Sequence, residues 1–196
     1  CTLVRFTSVF SISLRIDGAS MVYGSIVSAL WPLITLYSLD YMSHEGHENR
    51  FFGFWIASFG VVLGVAFAED FLTLYFFYEL LTLATLPLVM HFMDEKARYA
   101  GREYLVFSLS GAAFAFIGIV YLLHYSATLD FTYGGVLDLA LAAGHEPALQ
   151  AVFVLAFFGF GVKAAIFPFY KWLPDASVAP TPVSALLHAV AVVKAG

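Results

Sequence analysis

The sequence predicts an all-α integral membrane protein, a helical bundle whose fifth span is broken by a proline. Three observations carry this reading. Hydrophobic residues make up 61% of the chain and charged residues 12%, about half the ~25% charge of a soluble domain. Apolar runs of roughly 20 residues recur between short polar loops, the length that crosses a bilayer. The mean hydropathy is +0.86 and there are 21 phenylalanines, more apolar surface than a water-soluble fold could hide, so the solvent is lipid. The net charge of −5 sits in loops and points to no nucleic-acid partner. The single cysteine, Cys1, excludes an internal disulfide framework and a cysteine-ligated cluster. No cleavable signal peptide is visible. The chain opens without methionine and stops before its last apolar segment reaches spanning length, so it is read as a fragment of a longer membrane protein.

Each element follows from local pattern. Residues 1–17 form an extracytoplasmic surface segment. Its alternation Phe6, Ser8, Phe10, Ile12, Leu14, Ile16 has period two, which favours a short strand or hairpin. Spans are expected at 18–39 (with Trp31 and Pro32 inside and a kink there), 51–68, 71–92, 104–125 and 148–170, with a truncated sixth at 182–196; together 18–196 is the transmembrane bundle. Glu69 and Asp70 cap a tight turn. Gly111 and Gly118 let a neighbouring helix approach closely. Thr181 and Pro182 read as N-cap and first helical residue. With alternating spans, the loops 40–50, 93–103 and 171–181 share one side and hold Arg50, Lys96, Arg98, Arg102 and Lys171. The positive-inside rule places that side in the cytoplasm.

The candidate chemistry lies in ionisable residues within apolar segments. A charge in hydrocarbon costs several kcal/mol, roughly +2.5–3.5 on the lenient insertion scale, so it is read as functional by default. Glu79 sits near the middle of its span, with Tyr75 and Thr82 on its helix face. It must pair with a cation, line a wet cavity or stay protonated; a static ion pair is the competing reading. Lys163 precedes Pro168, which should break the helix just after the lysine, and Gly159 is expected to clear space beside its stem. Burial favours the neutral amine and a nearby carboxylate the ammonium, so such a lysine can gain and lose a proton. Its competing reading is a lysine snorkelling to the surface. Lys194 lies near mid-depth of the last segment. His188 stands about 120° round the same helix, so a relay needs the lysine arm or a water. A neutral core histidine bonded to a carbonyl or to Ser184 is the alternative. His44, Glu45, His47 and Glu48 lack metal-site spacing and read as a solvated loop. His91 and His124 fall at span ends, and Tyr170, Lys171 and Trp172 read as an interfacial belt.

The stretch VKAAIFPFYKWLPDASVAPTPVSALLHAVAVVKAG is similar to the signature region of the proton-conducting antiporter-like membrane subunits. These are found in respiratory complex I, Mrp-type cation/proton antiporters and membrane-bound hydrogenases. FFYELLTLATLPLV resembles the same family's glutamate helix. The resemblance covers essentially the whole chain, which would supply the third to eighth helices of the larger bundle. It implies that Glu79 is the key glutamate, Lys163 the lysine of the broken helix, His188 the histidine of the next helix, and Lys194 a lysine that some members replace. All four would serve proton transfer. Tyr170 and Lys171 stand where the commoner pattern has a histidine before the WLP element. The implied function is a proton-translocating subunit of a complex-I-like oxidoreductase or of an Mrp-type antiporter. Its partners would be other membrane subunits, protons with sodium as a further candidate, and the lipid of a prokaryotic inner membrane. No cofactor or metal is expected. As an enzyme it would at most be a membrane subunit of an NADH–quinone oxidoreductase or hydrogenase, with the redox site elsewhere. The alternatives are a structural subunit that conducts nothing and a stand-alone broken-helix transporter.

Overall fold

The computed structural model describes residues 2–5, 11–126 and 128–196. Strands β1 (Thr2–Arg5) and β2 (Ser11–Ser13) pair antiparallel, Thr2 opposite Ser13 and Arg5 opposite Ser11. Phe6, Ser8 and Phe10 of the alternating segment lie outside the described residues. The helices follow: α1 (Gly18–Ser43), α2 (Glu48–Ala66), α3 (Phe71–Val89), α4 (Glu95–Tyr125), α5 (Leu139–Ala142), α6 (Glu146–Lys163), α7 (Trp172–Ala176), α8 (Thr181–Ala189) and α9 (Val192–Ala195). Among the described residues five of them, α1–α4 and α6, are long and apolar enough to cross a membrane. The outward faces of α1 present Leu33, Leu36 and Leu39 to the surroundings. Such a stripe would be a liability in water and is ordinary in lipid.

Helix starts are chemically marked. Asp17 accepts from Ser20 N at 2.8 Å while Ser20 Oγ accepts from Asp17 N at 2.6 Å, a reciprocal cap on α1. Asp70 accepts from Thr73 N at 2.7 Å and Asp94 from Ala97 N at 2.7 Å, capping α3 and α4. Glu69 instead faces Arg15 at 3.9 Å. Helix α1 runs through Pro32 without interruption. One turn on, Thr35 Oγ1 donates to Trp31 O and accepts from Trp55 Nε1 at 2.8 Å, joining α1 to α2.

Two corrections concern boundaries. Helix α6 stops at Lys163, short of the expected end at 170, and residue 165 has left-handed backbone, φ 54°. The start of α8 is shifted by one: Pro180 is the N-cap and Thr181 already helical, so the threonine hydroxyl reaches Tyr41 rather than a backbone N–H.

The two ends of the bundle are tied differently. At one end Arg15 N donates to Phe67 O at 2.8 Å, Glu69 N to Ser13 O at 3.0 Å, and Phe71 N to Leu129 O at 3.2 Å. These bonds join the N-terminal hairpin, the α2–α3 turn and the start of the acidic loop. At the other end Arg50 donates to His91 O, and the His91 ring meets Gly46 O at 3.3 Å. His91 is thus buried against Phe51 rather than placed at an open interface.

Between the ends, α4 and α6 cross on small residues. A Cβ on Gly159 would stand 2.5 Å from Ala115 N and 2.7 Å from Gly111 O; one on Gly118 would stand 2.5 Å from Ala156 Cβ. Gly111 and Gly118 do admit a neighbour, and it is α6. Gly159 makes the other side of that seam rather than clearing room for Lys163.

Candidate functional site

The seam sets the position of Lys163. With α6 pressed onto α4, its last residue points inward to α3, and the lysine is fully buried at 0% exposure. Its Nζ donates to the carbonyl of Tyr78, sits 3.4 Å from the centre of the Tyr78 ring, and lies 3.9 Å from Glu79 Oε1. Snorkelling is therefore overturned. Tyr78 is itself clamped, its hydroxyl donating to Gly159 O at 3.3 Å. Ring and carbonyl together hold the ammonium by a cation–π contact and a charge-assisted hydrogen bond.

Glu79 is eight residues into a 19-residue helix, near its middle. Its side chain is 25% exposed against 0% for the lysine, so the carboxylate edge is open while the ammonium is sealed. Oε1 itself is buried and, among the described residues, makes no hydrogen bond. Two unit charges at 3.9 Å attract by about 4 kcal/mol at an effective dielectric of about 20. Several kcal/mol of desolvation per ion offsets that gain. The pair is thus a poor stabiliser and is readily unbalanced when either partner changes charge.

The rest of the Glu79 face is polar. Tyr75 donates to Ala112 O at 3.3 Å. Thr82 Oγ1 is buried and, among the described residues, without a hydrogen-bond partner, as is Ser108 Oγ on α4. Thr85 Oγ1 and Tyr104 OH bond at 2.7 Å. Trp172 is fully buried, not interfacial: it packs on Tyr104 at 5.2 Å and donates to Val162 O at 2.8 Å. The WLP element thereby closes the end of α6. Tyr170 and Lys171 stay exposed, and Lys171 bonds Tyr99 and Glu103, each at 3.2 Å. Those two bonds hold its ammonium above the ordinary lysine range.

His188 and Lys194 are not brought into this cluster. His188 is exposed and bonds Ser177 Oγ at 3.2 Å, neither a core histidine nor a partner of Ser184. The backbone leaves helix between α8 and α9, so the 120° relation to Lys194 does not hold, and Lys194 is exposed. The described residues contain no grouping of three or more His, Cys, Asp or Glu able to hold a metal ion. His44 instead turns its Nδ1 to Asp40 O at 3.0 Å. Tyr78, Tyr104 and Ser108 escaped sequence reasoning. Tyr78 precedes Glu79 directly, but a carbonyl and a ring face carry no sequence signal as ligands.

A polytopic helical membrane protein with an ionisable pair buried at mid-span is the class that fold and site define. Comparison narrows it. Residues 68–196 match the family described as NADH:quinone oxidoreductase/Mrp antiporter, transmembrane. Residues 6–52 match NADH-ubiquinone oxidoreductase (complex I), chain 5 N-terminus. A Na(+)/H(+) antiporter subunit from Alkalihalophilus pseudofirmus is 36% identical over 184 residues, covering 92% of this chain and 22% of that protein. Its counterpart in Bacillus subtilis is also 36% identical, covering 92% and 23%. A chain of the membrane-bound sulfane sulfur reductase, an archaeal respiratory membrane complex, superposes with TM-score 0.79 at 22% identity. That match covers 99% of this chain and 39% of the other, a likeness of fold. The chain belongs to the NADH:quinone oxidoreductase/Mrp antiporter transmembrane family. It spans about a fifth of the length of the curated relatives it matches.

Proposed function

We propose that the chain is the proton-handling part of a membrane subunit in a multisubunit cation/proton antiporter, with Glu79 and Lys163 as its switching pair. The observation that carries this is a fully sealed lysine 3.9 Å from a mid-span glutamate that has an open edge. While Glu79 is charged, the ammonium of Lys163 is favoured. When Glu79 is protonated or drawn away, burial favours the neutral amine and the proton leaves. His188 and Lys194 are the onward stations, turned outward where further helices of a longer protein could meet them. The basic end, with Arg50, Lys96, Arg98 and Arg102, is cytoplasmic. Similarity to Na(+)/H(+) antiporter proteins at 36% identity favours an antiporter over a complex-I-like oxidoreductase as the parent assembly, and sodium as the exchanged cation. The remaining partners are the other membrane subunits of that assembly in a prokaryotic inner membrane.

The test is Glu79→Gln in the full-length protein, assembled with its partners and reconstituted into proteoliposomes. Proton flux is expected to fall at least tenfold with assembly intact. Flux at the wild-type rate would remove Glu79 as the switch partner and leave the scaffold reading.

A further inference from the structure

Away from the Glu79–Lys163 pair, a cleft of about 590 Å³ opens toward the acidic end of the bundle. Its walls come from the start of α3, from α4 and from α6, and residues 134–139 of the acidic loop lie across its mouth. Among the described residues that line it, Tyr121 alone has a polar side chain. A cleft of this size is large enough for a ligand, but no set of convergent polar groups orients one. Water gains nothing in an apolar space, and the walls lose contact energy if the space stays empty. The occupant is therefore apolar and is drawn from the surrounding solvent, which is lipid.

The dimensions of the cleft match one particular part of a lipid. On α6 its lining runs from Leu149 to Phe160, eleven residues that rise about 16 Å. Half of a hydrocarbon core about 30 Å thick is about 15 Å. The cleft thus starts at the acidic end, where α6 begins, and stops at mid-membrane, the reach of one acyl chain in one leaflet. Its floor is Phe160, whose ring meets the Tyr78 ring edge-on at 5.3 Å. Around the mouth the loop exposes Leu137, Leu139 and Leu141 at 45%, 82% and 54%, side chains that suit contact with lipid and not with water.

The rim selects the headgroup. Asp138 stands between the lining residues Leu137 and Leu139, Glu146 lies one turn before Leu149, and Asp130 pairs through its backbone with Asp70, next to the lining Phe71. All three carboxylates are exposed, and residues 126–146 hold no lysine or arginine. The nearest cation on the hairpin, Arg15, is engaged by Phe131 O at 3.1 Å and faces Glu69 at 3.9 Å. Such a rim repels an anionic headgroup and attracts an ammonium.

We infer that the α3–α4–α6 cleft is a lipid site that takes one acyl chain of a phospholipid with an amine headgroup, of the phosphatidylethanolamine class. The chain lies along α6 with its methyl end on Phe160, and the ammonium meets Asp130, Asp138 and Glu146. Phe160 backs the Tyr78 ring, and that ring lies under the Lys163 ammonium. The lipid chain is thus an outer apolar wall behind the lysine's seat. The site stands on the shape of the cleft and the charge of its rim, whatever Glu79 and Lys163 do.

The experiment uses the full-length assembled protein in nanodiscs of equal phosphatidylethanolamine and phosphatidylglycerol. One lipid at a time carries a photoreactive diazirine, either at the methyl end of its chain or near its ester, and labelled peptides are mapped. With phosphatidylethanolamine the methyl-end probe should label around Ala115 and Phe157–Phe160, and the ester-end probe around Leu122, Leu149 and 134–139. The phosphatidylglycerol probes should label these peptides at least fivefold less. Val152→Trp, which fills the cleft from α6 without touching the Gly111, Gly118 and Gly159 seam, should lower cleft labelling at least fivefold while label on the outer face of α1 is unchanged. Asp130→Asn with Glu146→Gln should bring the two headgroups within twofold of each other. If Val152→Trp does not assemble, the depth map of the wild type and the headgroup ratio decide. Cleft peptides labelled no more than Leu33, Leu36 and Leu39 of α1, or not at all because another helix of a longer protein fills the space, would overturn the site. Equal labelling by both headgroups in the wild type would overturn the role of the rim and, with it, the assignment to an amine lipid.

Discussion

His91 shows what burial does to one ionisable side chain. The ring is packed against Phe51 and Phe92, with Nε2 on Gly46 O and Nδ1 buried and unpaired among the described residues. Burial lowers its affinity for a proton below the ordinary value of 6.5; Arg50 and His47 push the same way, while the Gly46 bond and Glu45 oppose them. With the folded value depressed, the unfolded chain binds the extra proton between the two values, so stability rises with pH across that window. The contribution is complete above about 6.5 and is lost as pH falls through that value toward the folded one. Thermal unfolding in detergent should therefore show a lower midpoint at pH 5.5 than at pH 7.5, and His91→Gln should flatten the difference. An identical pH response in the variant would refute the assignment. Nothing around position 91 in the chain marked the residue as buried, because Gly46 and Phe51 reach it from another loop and helix.

Among the elements, the α4–α6 seam decides the most. Lys163 is sealed because α6 lies close on α4, and it lies close because Gly111, Gly118 and Gly159 present almost no side chain. Gly159→Val would drive a branched carbon to 2.5 Å from Ala115 N and 2.7 Å from Gly111 O, backbone atoms that cannot rotate away. Overpacking of this kind costs about 1–3 kcal/mol. The melting temperature of the full-length protein in detergent should fall and Lys163 should become accessible to amine reagents. Gly60→Ala is the control: its added carbon meets nothing within 4 Å, and removing a mid-helix glycine should stabilise by about 0.5–1 kcal/mol. Equal effects of the two would mean that close approach is not what the seam requires. Gly111 and Gly118 were legible as a packing stripe. That the partner was α6, and that Gly159 completed the stripe, was not, because spacing along one helix does not name the helix opposite.

For the whole molecule, the two ends differ in charge and in construction. One joins the hairpin, the α2–α3 turn and the 126–146 loop, which has Asp130, Asp138 and Glu146 and no lysine or arginine. The other gathers Arg50, Lys96, Arg98, Arg102 and Lys171. With Cys1 replaced by serine, Tyr133→Cys, at a fully exposed position of the acidic loop, should react with a membrane-impermeant maleimide in intact cells. Asn49→Cys at the basic end should react only after permeabilisation. The reverse pattern would invert the orientation.

Composition alone settled that lipid is the solvent, because no packing arrangement could bury so much apolar surface in water. The position of Glu79 and Lys163 inside apolar runs followed from sequence as well, since the energetic penalty of an intramembrane charge is local to its segment. Only tertiary structure decided that the two meet, that Tyr78 holds the lysine, that Trp172 is buried, and that His188 and Lys194 face outward. Those are distances between helices, and they depend on how closely small residues let backbones approach.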